Sequence, residues 1–116
     1  MRILTWNGQW FRGRDGRVDV TRVLAHAREW GGDPEVICLQ EVAQHFGGLA
    51  GAGEGDQVAA VAAARPGYEV FFAPAMDDWR PGRATRQRLG NLIAARVPVW
   101  QVRHQALPYP PDPAVP

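Results

Sequence analysis

Residues 35–39, "EVICL", form a near-continuous apolar run, and this run does most to limit what the chain can fold into. A run of that length and β-branched character reads as a strand covered on both faces rather than one with a wet side. What precedes it fits. "RILTW" at residues 2–6 has a strand's length and stops at Asn7-Gly8, a strong turn signal. "WFRGRDGRV" at 10–18, with three arginines and two glycines, reads as an exposed loop. Asp19 then caps a helix whose Val20, Val23, Leu24, Ala27 and Trp30 recur at helical spacing, and Gly31-Gly32 closes it. Strand, helix and strand in this order predict a right-handed βαβ unit with parallel strands.

Downstream, "GGLAGAGEG" at 47–55 lies about ten residues past the second strand. A dinucleotide loop begins in the first turn after its strand, so a flexible surface loop is the better reading. "DQVAAVAAAR" at 56–65 reads as a helix closed by Pro66-Gly67, and "YEVFFAP" at 68–74 as a strand. Residues 77–88 read as a polar, arginine-studded loop, and 90–107 as two strands broken near Val97-Pro98. Five prolines among residues 108–116 suit neither a helix nor an inner strand, so that stretch is expected to be an extended tail. The domain is therefore assigned to 1–107. Five expected strands with two helices leave an apolar sheet short of a second layer across it.

Composition closes off several chemistries. The chain of 116 residues has no serine and no lysine, which excludes serine nucleophiles, a Walker A loop and Schiff-base chemistry. Its one cysteine, Cys38, lies inside the apolar run and reads as a small buried side chain. Thirteen basic residues, all arginine, against twelve acidic ones give a net charge of +1, too little for the whole-molecule field to select a partner. No stretch has a membrane span's length or a signal peptide's apolar core, so the expectation is a cytoplasmic protein with no membrane partner. Zinc would need more than Glu41 and His45, which share a face only if "EVAQH" is helical.

The richest constellation is Asn7 after the first strand with Glu41 after the second. In a parallel βαβ unit both carboxyl ends emerge on one edge, where ligands bind in open α/β sheets. One carboxylate among oxygen-rich neighbours suits Mg²⁺, which keeps several waters and lets substrate phosphate complete its shell. The plainer reading is that Asn7 makes a turn with Gly8 and Glu41 solvates a strand end. On spacing alone that plainer reading is the commoner outcome.

"ILTWNGQW", "DPEVICLQEV" and "RLGNLIAARVPV", in this order and roughly this spacing, resemble the opening motifs of the endonuclease/exonuclease/phosphatase superfamily, the group of deoxyribonuclease I, exonuclease III and the inositol polyphosphate 5-phosphatases. The resemblance implies an α/β (α+β) fold, a partial two-sheet sandwich flanked by helices, and the N-terminal part of a phosphoester hydrolase dependent on Mg²⁺ or Mn²⁺. It implies Glu41 as metal ligand, Asn7 as the catalytic-site asparagine near metal and phosphate, and Asn91 as a substrate or structural hydrogen-bonding residue. Arginines 12, 14, 17, 80, 83, 86 and 88 lie in loops where guanidinium forks meet phosphate, or where they are merely solvated. The implied substrate is a phosphodiester or phosphomonoester, nucleic acid among the options. Two positions past Asn7 several relatives have aspartate, and this chain has Gln9. The family's later Thr-His, Gly-Asp-x-Asn and Ser-Asp-His motifs are absent, and His26, His45 and His104 match none of them. Two expectations follow: a truncated or split hydrolase, inactive alone and completed by a C-terminal half, or a non-enzymatic fragment or small binding protein that reuses half the fold.

Overall fold

The computed structural model describes residues 1–108. Apart from Pro108, the expected proline-rich tail lies outside the described residues. Four strands form one mixed sheet in the order β1-β2-β4-β3, comprising β1 (Ile3–Asn7), β2 (Val36–Gln44), β3 (Glu69–Asp78) and β4 (Gln87–Ala95). β1 and β2 run parallel, connected through α1 (Val20–Gly31), while β4 pairs antiparallel with both β2 and β3. The second helix, α2 (Gln57–Ala64), precedes β3.

The helices begin where their caps dictate. Asp19 Oδ1 accepts the Arg22 amide at 3.0 Å, and Asp56 Oδ1 accepts that of Ala59 at 3.1 Å. α1 ends at Gly32, whose φ of 62° favours a residue without a Cβ. Val23, Leu24 and Ala27 of α1 and Val61 of α2 are buried, and with Ile37, Leu39, Leu92 and Ala94 they make the core. Leu4, Trp6, Val70 and Phe72 pack around that core as partly buried residues. Strand side chains alternate, so the helices cover one face of the sheet only. On the other face lie Ile3, Cys38, Phe71 and Ile93, with Ile3 61% and Ile93 45% exposed. The expected cover on both faces of "EVICL" is therefore not found: the described residues form one sheet with a bare apolar face, and no second sheet lies across it among them.

Three expectations about the elements are corrected by how the strands pair. β2 does not stop at Leu39 but continues to Gln44, because β4 supplies partners beyond the end of β1: Val42 opposite Gly90, Ala43 opposite Leu89 and Gln44 opposite Arg88. The loop is shorter than the expected 77–88: Asp77 and Asp78 end β3 opposite Arg88 and Gln87 of β4, and residues 79–86 form the connecting loop. Only one strand forms in 90–107. The Arg96 amide makes a last bond to the Glu35 carbonyl, after which residues 96–108 have no regular structure. Pro98 has no N–H to extend the ladder, and both edges of β4 are already occupied.

Candidate functional site

The sheet brings the three sequence-selected residues into one row. Asn7, the last residue of β1, stands opposite Gln40 of β2. Across the β2–β4 ladder Leu39 pairs with Leu92 and Val42 with Gly90, so Gln40 and Glu41 together face the single residue Asn91. This is a β-bulge, an extra residue that bends one strand and redirects a side chain. Glu41 therefore lies within β2 rather than after it.

The bulge is a consequence of patterning. Leu39 faces the helices and Gln40 the bare side, where its Nε2 donates to Thr5 Oγ1 at 3.1 Å. Strict alternation would turn Glu41 into the core and Val42 out of it. With Glu41 as the extra residue, Val42 goes inward, 1% exposed, and the carboxylate is spared a burial that would cost several kcal/mol. Glu41 stays half-buried and makes no ion pair among the described residues.

Its backbone is held by the loop that follows β1. Gly8 N–H donates to the Gln40 carbonyl at 3.3 Å and Trp10 N–H to the Glu41 carbonyl at 2.7 Å. Asn7 Oδ1 accepts from Gln9 N–H at 3.1 Å, so the turn reading of Asn7 holds alongside its place in the row. Gln9, Trp10 and Phe11 are consecutive left-handed residues (φ 46°, 45° and 60°), and Glu41 has φ 59°. Four of the six non-glycine residues of positive φ among the described residues thus meet at this one point. Each such conformation costs about 1–2 kcal/mol and persists only where its surroundings fix it. Two anchors do so here. Phe11 is fully buried in the core, and the buried Gln57 bridges loop and strand, accepting from Ala43 N–H at 3.0 Å and donating to the Trp10 carbonyl at 2.8 Å.

Sequence reasoning missed Gln57. The only trace it left was a polar residue in the first turn of an otherwise apolar helix. Gly90, picked out by its motif, has a packing role: a Cβ there would fall on the Ala73 carbonyl oxygen and the Pro74 Cα, so only glycine lets β3 approach β4 beside Asn91.

Of the seven loop arginines, three are engaged: Arg83 with Glu54, and Arg86 and Arg88 with Asp77. The hydrogen bond from Arg86 holds the Asp77 carboxyl below its usual range. Arg12, Arg14, Arg17 and Arg80 make no ion pair among the described residues. None of the three histidines joins the row. His26 is on α1, the His45 ring nitrogen lies 2.9 Å from the Glu54 carbonyl oxygen, and His104 is in the irregular segment. Because β2 is a strand as far as Gln44, Glu41 and His45 share no helix face. No group of three or more His, Cys, Asp or Glu able to hold a metal occurs among the described residues.

The fold has a counterpart among solved structures. The crystal structure of an endonuclease/exonuclease/phosphatase from Beutenbergia cavernae DSM 12333 superposes with a TM-score of 0.65 and 29% sequence identity over 84% of this chain. The chain has the endonuclease/exonuclease/phosphatase fold. The match takes in 26% of the Beutenbergia chain, so about a quarter of that structure is represented here. No protein-family model and no curated protein matches the sequence. Among the described residues no helix is long and apolar enough to cross a membrane.

Proposed function

We propose that the chain is the N-terminal, metal-binding part of a Mg²⁺-dependent phosphoester hydrolase, with Mn²⁺ as the alternative ion, and that it is inactive alone. The observation that carries this reading is the strained junction at the carboxyl ends of β1 and β2. Four left-handed residues meet there, with Trp10 N–H bonded to the Glu41 carbonyl, beside the half-buried Glu41 carboxylate, which makes no ion pair among the described residues. Strain of this kind collects at functional sites because stability alone would not select it. One carboxylate with neighbouring amides fits a hard cation that keeps most of its waters, and it does not fit zinc, which wants three or four nitrogen or sulfur ligands. Glu41 would hold the ion, which when bound neutralises phosphate charge and positions water. Asn7 orders the junction through its bond to Gln9, and Asn91 offers an amide at the end of the row.

Hydrolysis also needs a group to orient the attacking water and one to protonate the leaving oxygen. No histidine or aspartate of the described residues stands in the row. The bare face bearing Ile3, Phe71 and Ile93 supports a complementary C-terminal half that covers the sheet and brings those groups. The test is calorimetric titration of Mg²⁺ and Mn²⁺ into the purified chain and into Glu41→Ala, together with turnover of bis(p-nitrophenyl) phosphate. Binding that Glu41→Ala abolishes, with no turnover until a polypeptide bearing Thr-His, Gly-Asp-x-Asn and Ser-Asp-His is added, is the expected result. Metal binding indifferent to Glu41 would leave the non-enzymatic reading, a fragment or small binding protein, in its place.

A further inference from the structure

Behind the row, on the helix side of β1, lies a cavity of about 570 Å³ whose lining includes Trp6, His26, Trp30, Arg12, Arg14 and Arg22. Its residues come from the end of β1, the loop after it and the exposed side of α1. Trp6 and Trp30 are near-parallel, with ring centroids 6.3 Å apart and planes inclined by 15°, and the His26 ring is tilted against Trp30 at 6.3 Å. Trp30 is 79% exposed, so its ring is open to stacking although Trp6 already orients it.

The charge in the cavity is not balanced. Asp15 is its one carboxylate, and Arg22 holds it through two hydrogen bonds of 2.8 and 3.1 Å, with a third from Arg22 to the Arg17 carbonyl. Gly13 lies against this pair so closely that a Cβ would meet the Arg22 guanidinium. Arg22 is thereby fixed and neutralised. Arg12 and Arg14 have no carboxylate partner among the described residues and leave the cavity cationic. Of the row, Asn7 alone lines the cavity.

From this pairing of an open aromatic surface with two uncompensated guanidiniums, we propose that the cavity binds a nucleotide unit, its base stacked on Trp30 and its phosphate met by Arg12 and Arg14. The volume lies within the range of small-molecule sites, stacking accepts any base, and arginine forks match phosphate. Where the hydrolase reading holds, this makes the parent substrate a nucleic acid or nucleotide rather than a phosphoinositide. Binding itself rests on no metal and is therefore measured in EDTA, so that it can fail independently of the Glu41 site.

The experiment follows the indole N–H resonances of the full chain during titration with AMP, 5′-phosphorylated pentathymidylate, adenosine and ribose 5-phosphate. AMP or the pentanucleotide is expected to shift Trp6 and Trp30 and to leave Trp79 and Trp100 unmoved. Trp30→Ala and Arg14→Glu, both at exposed positions, are each expected to weaken binding roughly tenfold or more, consistent with the loss of a stacking surface or a charge contact. A response to the pentanucleotide alone identifies a strand end as the natural source, and a response to AMP identifies the free nucleotide; either upholds the proposal. Ribose 5-phosphate binding as tightly as AMP would reduce the cavity to a plain anion site and overturn it. So would unshifted Trp6 and Trp30 signals with both nucleotides, or undiminished binding in Trp30→Ala.

Discussion

Replacing Glu41 by glycine and, separately, by alanine separates the two roles the bulge gives this residue. Both substitutions remove the same carboxylate and the same half-buried side chain, so their difference isolates the backbone. At φ 59° an L-residue carries about 1–2 kcal/mol of left-handed strain that glycine does not. Glycine's larger unfolded-state entropy offsets about 0.5–1 kcal/mol of that. Glu41→Gly should therefore be more stable than Glu41→Ala by about 0.5–1 kcal/mol, or about 2–5 °C in Tm for a chain of this size. Urea and thermal denaturation followed by circular dichroism give the difference, and calorimetry gives the metal affinity of the same samples. Both variants should lose Mg²⁺ binding equally. A glycine variant no more stable than the alanine variant would refute the claim that the bulge stores strain. Metal binding retained by either would refute the assignment of the carboxylate. If both expectations hold, the chain keeps a glutamate at a position whose backbone favours glycine, which is the pattern expected when function contributes to the choice of residue.

Gln57→Leu leaves the Ala43 N–H and the Trp10 carbonyl without their buried partner; it should cost about 2–4 kcal/mol in urea denaturation and weaken Mg²⁺ binding, although Gln57 does not lie in the row. Gly90→Ala forces β3 and β4 apart beside Asn91 and should destabilise by about 1–3 kcal/mol on the same assay. Asp15 is held down to about 2 from its ordinary 3.8, chiefly by the side-chain hydrogen bond from Arg22. Because the folded-state value is depressed, its contribution is fully present above pH 3.8 and is lost as pH falls towards about 2. Asp15→Asn should remove that part of the acid dependence of unfolding, and an unchanged acid limb would exclude the contribution. Ile93→Asp on the bare face should block association with a complementary half, measured by co-sedimentation, while leaving Mg²⁺ titration of the chain unchanged.

Local sequence carried the elements that local physics dictates. Asp19, Asp56 and Gly32 set helix ends through bonds made within one turn, and the apolar periodicity of α1 follows from which side it buries; "EVICL" was legible as a strand, but not that its Cys38 face would be left uncovered. The ordered motifs around Asn7, Glu41 and Gly90-Asn91 were legible too, and the fold they imply is the one observed. What the tertiary structure alone decided is where β4 goes. Inserting between β2 and β3, it lengthened β2 past Leu39, left residues 96–108 without a neighbour to pair with, and so made Glu41 a residue within a strand, bulged because Val42 takes the core side. Pairing between residues fifty positions apart leaves no periodic trace, which is why Glu41 read as a strand end and Gln57 as an ordinary helix residue. The left-handed turn at Gln9–Phe11 was equally hidden, because none of its residues favours that conformation; the buried Phe11 and the Gln57 bridge impose it. Sequence chemistry selected the carboxylate and the amides, and only the packed sheet could set them in one row.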